Sequence, residues 1–272
     1  MMLKFMSLLG RCMNVIVLSG YGLNCEEETL FAFQEAGRYL NTNISGKIVH
    51  IKELLSNPKQ LASFNTMVIP GGFSYGDDTG AGNAYALRLI HGLNEHIRDF
   101  MARDTLLLGI CNGCQILLRM LCPNVALVSN DVGMYQCRWV TVKASNNSVW
   151  LDGIDKMYIP VAHGEGKFYA AEDVLQNLET QGDIALRYVN SDGEYAEGEF
   201  PYNPNGSARD IAAITCNSGR ALMMMPHPER AIFFTQRYDW TDIVHGHQNT
   251  KGAVEKYADG FQIFVNAVRY FS

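Results

Sequence analysis

Short apolar runs alternate with stretches of helical periodicity along the first half of the chain. Met13–Leu18 (MNVIVL), Lys47–Ile51, Thr66–Pro70 (TMVIP) and Leu106–Leu108 read as buried strands. Between them, Glu26–Leu40 predicts a helix with three glutamates in its first turn, where the macrodipole favours them, and Asn24 stands where a cap is needed. Glu53–Phe64 predicts a helical crossover interrupted near Pro58, and Ala84–Arg103 a long amphipathic helix. This alternation is the pattern of a doubly wound α/β fold, a mostly parallel central sheet flanked by helices, with its sites at the carboxyl ends of the strands.

After residue 121 the pattern changes. Tyr135–Ala144 alternates and is β-branched, Met157–Ala162, Ile184–Asn190 and Ile211–Thr215 add strand-like runs, and an apolar strand starts at Ala221. Asn190–Arg209 is polar and holds Gly, Pro and Asn, so it reads as an exposed connection.

The length of 272 residues suits one large domain over residues 13–272, with residues 1–12 as an N-terminal extension, because Met13 opens the first clear strand. A net charge of −6 leaves no basic footprint for nucleic acid. Seven cysteines in a chain too long to need stapling read as reduced thiols in a cytoplasm. Met1–Leu9 is apolar but short and lacks a cleavage-site pattern, and no run approaches the roughly 18 apolar residues that span a bilayer.

The densest chemical signal is Leu106–Met120, LLLGICNGCQILLRM. A strand, a sharp turn through Gly109-Ile110-Cys111-Asn112-Gly113 and a helix from Cys114 to Leu121 have the logic of a nucleophile elbow with sulfur in place of oxygen. Glycines on either side remove side chains that would collide in the turn, and the following helix N-terminus offers unpaired N–H groups to an oxyanion. Two other readings stay open: a small buried core cysteine, or a redox pair between Cys111 and Cys114. No second Cys or His cluster accompanies the pair, so no metal site is expected.

Pro70–Gly82, PGGFSYGDDTGAG, follows a strand directly, and its backbone offers Gly71, Gly72 and Phe73 as oxyanion donors. A phosphate loop or a lid would share that composition, although no G-K-[ST] ending is present, and Asp77 and Asp78 read as solvated loop carboxylates. His163–Phe168, HGEGKF, reads as a second ligand-facing loop. In Ala221–Arg230, ALMMMPHPER, each residue before a proline is pushed toward extended backbone. Residues two apart then lie roughly 6.5 Å from each other on the same side, so Glu229 reaches behind the His227 ring. A thiol needs a base and the base needs an orienter, although a His in a structural turn with Glu229 paired to Arg230 has the same sequence.

GICNGCQ, PGGFSYGDD, HGEGKF and MPHPER, in this order, resemble the class I (triad) glutamine amidotransferases. They are most similar to the branch that serves as the glutaminase component of phosphoribosylformylglycinamidine synthase. The resemblance starts near Met13 with NVIVLSGYGLNCEEET and runs to Arg230, with a weaker continuation into a C-terminal helix at Phe261–Tyr270. It implies a flavodoxin-like fold and hydrolysis of L-glutamine to glutamate and ammonia. Cys111, His227 and Glu229 would be catalytic, and Gly72 and Asn112 would line the oxyanion hole. Gly71, Phe73 and Gln115 would lie at the glutamine pocket, and His163 and Glu165 there or at the partner face. It implies no cofactor in this chain, with ATP and magnesium in a partner synthetase subunit and a small bridging subunit as a further partner. Arg138 in CRW also matches a family position. Departures are the absence of a basic residue directly after Gly76-Asp77-Asp78 and the long segments Asn190–Arg209 and Tyr238–Gly252. A stand-alone triad amidotransferase or γ-glutamyl hydrolase, and a non-enzymatic thiol module, remain the alternatives.

Overall fold

A computed structural model describes residues 13–78, 80–145, 148–246 and 256–272. The proposed extension at residues 1–12 and the end of the Tyr238–Gly252 segment lie outside the described residues. The strands are β1 Met13–Ser19, β2 Ile44–His50, β3 Thr66–Ile69, β4 Leu106–Ile110, β5 Ala126–Ser129, β6 Gln136–Ala144, β7 Lys156–His163, β8 Glu165–Tyr169, β9 Ile184–Val189, β10 Ile211–Cys216 and β11 Ala221–Met224. The helices are α1 Glu26–Leu40, α2 Ile51–Ser56, α3 Asn83–Ala102, α4 Asn112–Leu121, α5 Glu172–Gln181, α6 Trp240–Gly246 and α7 Phe261–Tyr270.

One nine-stranded sheet runs in the order β2-β1-β3-β4-β11-β10-β9-β6-β7, and β5 pairs with β8 in a separate ribbon. The strands from β2 to β11 are parallel to their neighbours. From β10 outward the pairing is antiparallel. Strands covered on both faces need apolar residues at every position rather than every second one. Accordingly β3, β4 and β11 are buried throughout, whereas the edge strand β2 alternates. Helix α1 packs on α7, and α3 on α4.

The segment after β11 curls the antiparallel half back toward the parallel one. The His227 amide donates to the Pro160 carbonyl of β7 at 2.8 Å, so the last strand in the sheet order meets the loop that follows β11.

Four expectations change. Cys25, not Asn24, occupies the N-cap position of α1, and no side chain caps it; Asn24 Oδ1 instead accepts from the Cys25 thiol. HGEGKF is not a loop but the joint between β7 and β8. Asn190–Arg209 is not a plain exposed connection, because Asn203, Asn205 and Ser207 are buried and hydrogen-bonded. Strand β5 and helices α5 and α6 lie where no regular element was expected.

Candidate active site

Cys111 connects β4 to α4 with φ 51° and ψ −106°, a conformation that side chains rarely adopt. Such strain persists only where the surroundings over-determine it. Here they do: the Cys111 amide donates to the Met224 carbonyl at 2.8 Å, and its carbonyl accepts from the Gln115 amide. The two flanking glycines are required for space. A Cβ on Gly113 would sit 1.8 Å from the Ile69 carbonyl oxygen, and one on Gly109 would sit 2.7 Å from the Gly113 carbonyl oxygen. Cys111 is buried, with 5% exposure, and its thiol donates to the Ala162 carbonyl at 3.5 Å. Cys114 packs in the core with its thiol pushed up by burial, which counts against a redox pair with Cys111.

His227 Nδ1 stands 2.5 Å from Glu229 Oε1, and both side chains are buried. Burial presses the imidazolium toward deprotonation, but the charges of Glu229 and Cys111 overcome it, with help from the nearby Cys25 thiol. The net result holds His227 well above the usual imidazole range. His227 Nε2 and Glu229 Oε2 have no hydrogen-bond partner among the described residues. The contact expected from the sequence is present, but not through the extended run expected for it: Pro228–Arg230 forms a 3-10 turn, with Pro228 opening it and His227 just before it, and this turn brings the carboxylate to the ring.

The glycine-rich loop lies beneath the imidazole. A Cβ on Gly71 would come within 2.7 Å of His227 Cε1, so only glycine fits there. Gly72, at φ 153°, bridges to Leu23, and a Cβ on it would meet the Gly22 carbonyl oxygen at 2.4 Å. The Phe73 amide donates to Gly22 at 2.8 Å and is no longer a free donor; its half-exposed ring stands at the rim with that of Tyr135. Asn112 opens α4, where first-turn amides lack intrahelical partners. Its side chain accepts from the Ser74 amide at 3.1 Å and donates to Gln115 Oε1 at 2.7 Å. Gln115 Nε2 in turn donates to the Glu165 carbonyl at 2.7 Å. One polar chain thus joins the elbow, the glycine loop and the β7–β8 joint.

His163 is buried beside this joint, and burial, then the charge on His227, brings its pKa down to about 3. Glu165 Oε2 accepts from the Ala81 amide, and Asp77 is half-buried near it rather than simply solvated. Burial and then the Glu165 charge raise Asp77 to about 6. Asp78 remains exposed, and Arg138 stacks over the Phe200 ring at 4.5 Å.

Three participants were not singled out from the sequence. Cys25 is fully buried against His227 and accepts from Arg230 Nη2 at 3.0 Å. Its position just after the carboxyl end of β1 was the available signal. Asn130 donates to the His163 and Met134 carbonyls and accepts from the Gly166 amide, tying the rim loop to the β7–β8 joint. Tyr135 lies close enough to feel the charges of Cys111 and His227.

The two histidines bias stability in opposite directions. His163 is neutral when folded and has an ordinary value near 6.5 when unfolded, so it withdraws stability as pH falls from about 6.5 toward about 3. His227 is raised when folded, so its contribution is complete below about 6.5 and is lost as pH rises through the raised value. Each limb carries a slope of up to about 1.4 kcal/mol per pH unit. In denaturant titrations across pH, His163→Gln is expected to flatten only the acid limb and His227→Gln only the alkaline limb. Unchanged limbs in both variants would refute these protonation states.

A strand-to-helix elbow with a buried cysteine, at the carboxyl end of a parallel sheet and beside a His–Glu pair, suits amide hydrolysis at a thiol. A model of the CobB/CobQ-like glutamine amidotransferase domain matches residues 12–271, which fixes the class. The phosphoribosylformylglycinamidine synthase subunit PurQ of Methanococcus maripaludis is 38% identical over 270 residues, covering 95% of this chain and 97% of that protein. The protein of the same name from Dehalococcoides mccartyi is 37% identical over 265 residues, covering 94% and 96%. A chain in the structure of PurLQS from Thermotoga maritima superposes with a TM-score of 0.69 at 25% identity, covering 96% of this chain and 99% of that one. The chain belongs to the PurQ family of glutamine amidotransferase subunits.

Proposed function

We propose that residues 13–272 form one amidotransferase domain, the glutaminase subunit of phosphoribosylformylglycinamidine synthase, working through Cys111, His227 and Glu229. One observation carries the assignment of residues: a cysteine held in a left-handed elbow beside a histidine that is itself 2.5 Å from a buried carboxylate.

The Cys111 S–H proton passes to His227, forming a thiolate–imidazolium pair that Glu229 stabilises, and this is the proton that must reach departing ammonia. Cys111 sulfur attacks the glutamine side-chain carbonyl carbon, and the N–H groups of Gly72 and Asn112 take the charge that develops on oxygen. His227 protonates the nitrogen as the C–N bond breaks, which leaves a γ-glutamyl thioester and ammonia. Water then gives up a proton to His227 and adds to the thioester carbon; the C–S bond breaks to release glutamate, and His227 returns the proton to the Cys111 sulfur. Glu229 fixes the tautomer and orientation of the ring throughout. Gly71 and Phe73 form the pocket floor and rim, Gln115 aligns the substrate, and His163 and Glu165 shape the pocket from the β7–β8 joint.

The ammonia passes to a PurL-type synthetase partner that converts formylglycinamide ribonucleotide to formylglycinamidine ribonucleotide, with ATP and magnesium bound there and a small bridging subunit completing the assembly. This chain supplies no cofactor and acts in the cytoplasm. Among the described residues no helix is long and apolar enough to cross a membrane.

The test is glutamate release from glutamine by this chain, alone and with the synthetase, ATP and the ribonucleotide. Release that depends on Cys111 and rises severalfold or more in the complete mixture is the expected result. Equal rates with and without the partner would favour a stand-alone hydrolase. No release in either case, together with peroxide-sensitive behaviour, would favour a thiol module.

A further inference from the structure

A second feature occupies the carboxyl-end rim of the sheet, away from the thiol. Tyr21 follows β1 at φ 54° and Tyr75 follows β3 at φ 57°, both in the left-handed region that tyrosine seldom enters. Their rings stack with centroids 4.8 Å apart and an interplanar angle of 19°. Around them stand three basic side chains. The Arg88 guanidinium lies 5.0 Å from the Tyr21 ring centre and 5.7 Å from that of Tyr75, and Lys52 Nζ lies 5.8 Å from Tyr21. His50, ending β2, meets the Tyr21 ring edge-on at 5.3 Å. Arg88 and Lys52 are both exposed, and among the described residues neither forms an ion pair. On a chain with net charge −6, this is an aromatic patch carrying two exposed cations that have no ion-pair partner among the described residues.

Two strained tyrosines are retained where the surroundings force them and where the strain has a use. Their backbone is wired to the oxyanion loop. The Tyr75 amide donates to the Tyr21 carbonyl at 2.7 Å, the Phe73 amide to Gly22 at 2.8 Å, and the Ser74 amide to Asn112 Oδ1 at 3.1 Å. A Cβ on Gly22 would lie 2.4 Å from the Phe73 carbonyl oxygen, so the two loops are in backbone contact. These contacts run from the stacked rings to the loop that carries Gly72 and to the Asn112 side chain.

We propose that Tyr21, Tyr75, Arg88 and Lys52 form a docking platform for an acidic segment of the synthetase subunit, and that its engagement sets the oxyanion loop. Charge complementarity selects the occupant: cations seated over aromatic faces and lacking carboxylate partners fit aspartate and glutamate side chains, and such contacts govern recognition and encounter rate more than bulk area does. The assignment of the partner rests on the glutaminase reading above, whereas the platform itself rests on the geometry.

The experiment measures affinity between the full-length chain and its synthetase by calorimetry, without turnover. Lys52→Glu/Arg88→Glu is expected to bind at least about tenfold more weakly than wild type, and Lys52→Arg/Arg88→Lys within about twofold. Rising salt should weaken wild type more than the charge-reversed variant. Basal glutamate release by the free variants should equal that of wild type, while stimulation by the synthetase falls with affinity. Matching thermal melts exclude misfolding, and Arg88→Gln supplies a milder second variant. Wild-type affinity in the charge-reversed chain overturns the proposal, as does loss of self-association through this patch with synthetase binding intact. A wild-type chain that binds but releases no glutamate defeats the glutaminase reading and leaves the platform standing.

Discussion

Cys111→Ala is expected to reduce glutamine-dependent turnover by about 10³- to 10⁶-fold, while turnover of the same complex supplied with ammonium salt stays at the wild-type level. The contrast follows from where the residue sits. Its sulfur stands at the elbow beside the His–Glu pair, yet its side chain is small and removal leaves the elbow glycines and the Met224 hydrogen bond in place. Glu229→Gln is the informative companion, with a smaller loss of roughly 10²- to 10⁴-fold, because the amide keeps the shape but no longer holds His227 protonated and oriented. The measurements are glutamate release and product formation, each with glutamine and with ammonium as the nitrogen source. Full glutamine-dependent turnover in Cys111→Ala would end the thiol mechanism. Equal loss with both nitrogen sources would mean instead that the variant disturbs the assembly.

Gly113→Ala carries the largest expected effect on the fold. No left-handed backbone is involved at this position; the constraint is space alone, since the added methyl would sit 1.8 Å from the Ile69 carbonyl oxygen at the end of β3. That oxygen belongs to a fully buried strand paired to β4, so it has nowhere to retreat without pulling the sheet apart. A destabilisation of at least about 3 kcal/mol is expected, a drop of roughly 6–12 °C in Tm for a chain of this size. Gly198→Ala is the control. It has φ 77° but open space around it, so it bears only the left-handed penalty of about 1–2 kcal/mol. Thermal melts that rank the two variants in the opposite order would show that the elbow is loosely packed.

How far the sequence could be read depended on whether a signal was local. The elbow was legible because strand, glycines, cysteine and helix are contiguous, and helix α1 lies over the Glu26–Leu40 span its composition indicated. The His227–Glu229 contact was legible in the spacing of the two residues between prolines, but its geometry was not, because Pro228 opens a 3-10 turn instead of continuing an extended run. Asn190–Arg209 was not, since asparagine and serine look alike in sequence whether they face water or, as Asn203, Asn205 and Ser207 do, satisfy buried groups. Strand β8 was hidden by the glycines of HGEGKF, which in isolation signal a loop. Helix α5 begins after Ala171, which offers no capping side chain to mark its start. Cys25 and Asn130 acquire their roles only when distant strands bring His227 and His163 to them, and no spacing rule encodes that.

The bond from His227 to Pro160 has a mechanical implication. Thiol and imidazole are carried by the neighbouring strands β4 and β11, whereas the wall that receives the Cys111 S–H belongs to β7, four pairings further along the sheet. The reaction gap is therefore the seam of a curled ribbon, closed by the His227–Pro160 and Cys111–Ala162 bonds. Loss of those two bonds would open the gap without unpairing any strand, so heat or denaturant should silence glutamate release before the ribbon itself comes apart.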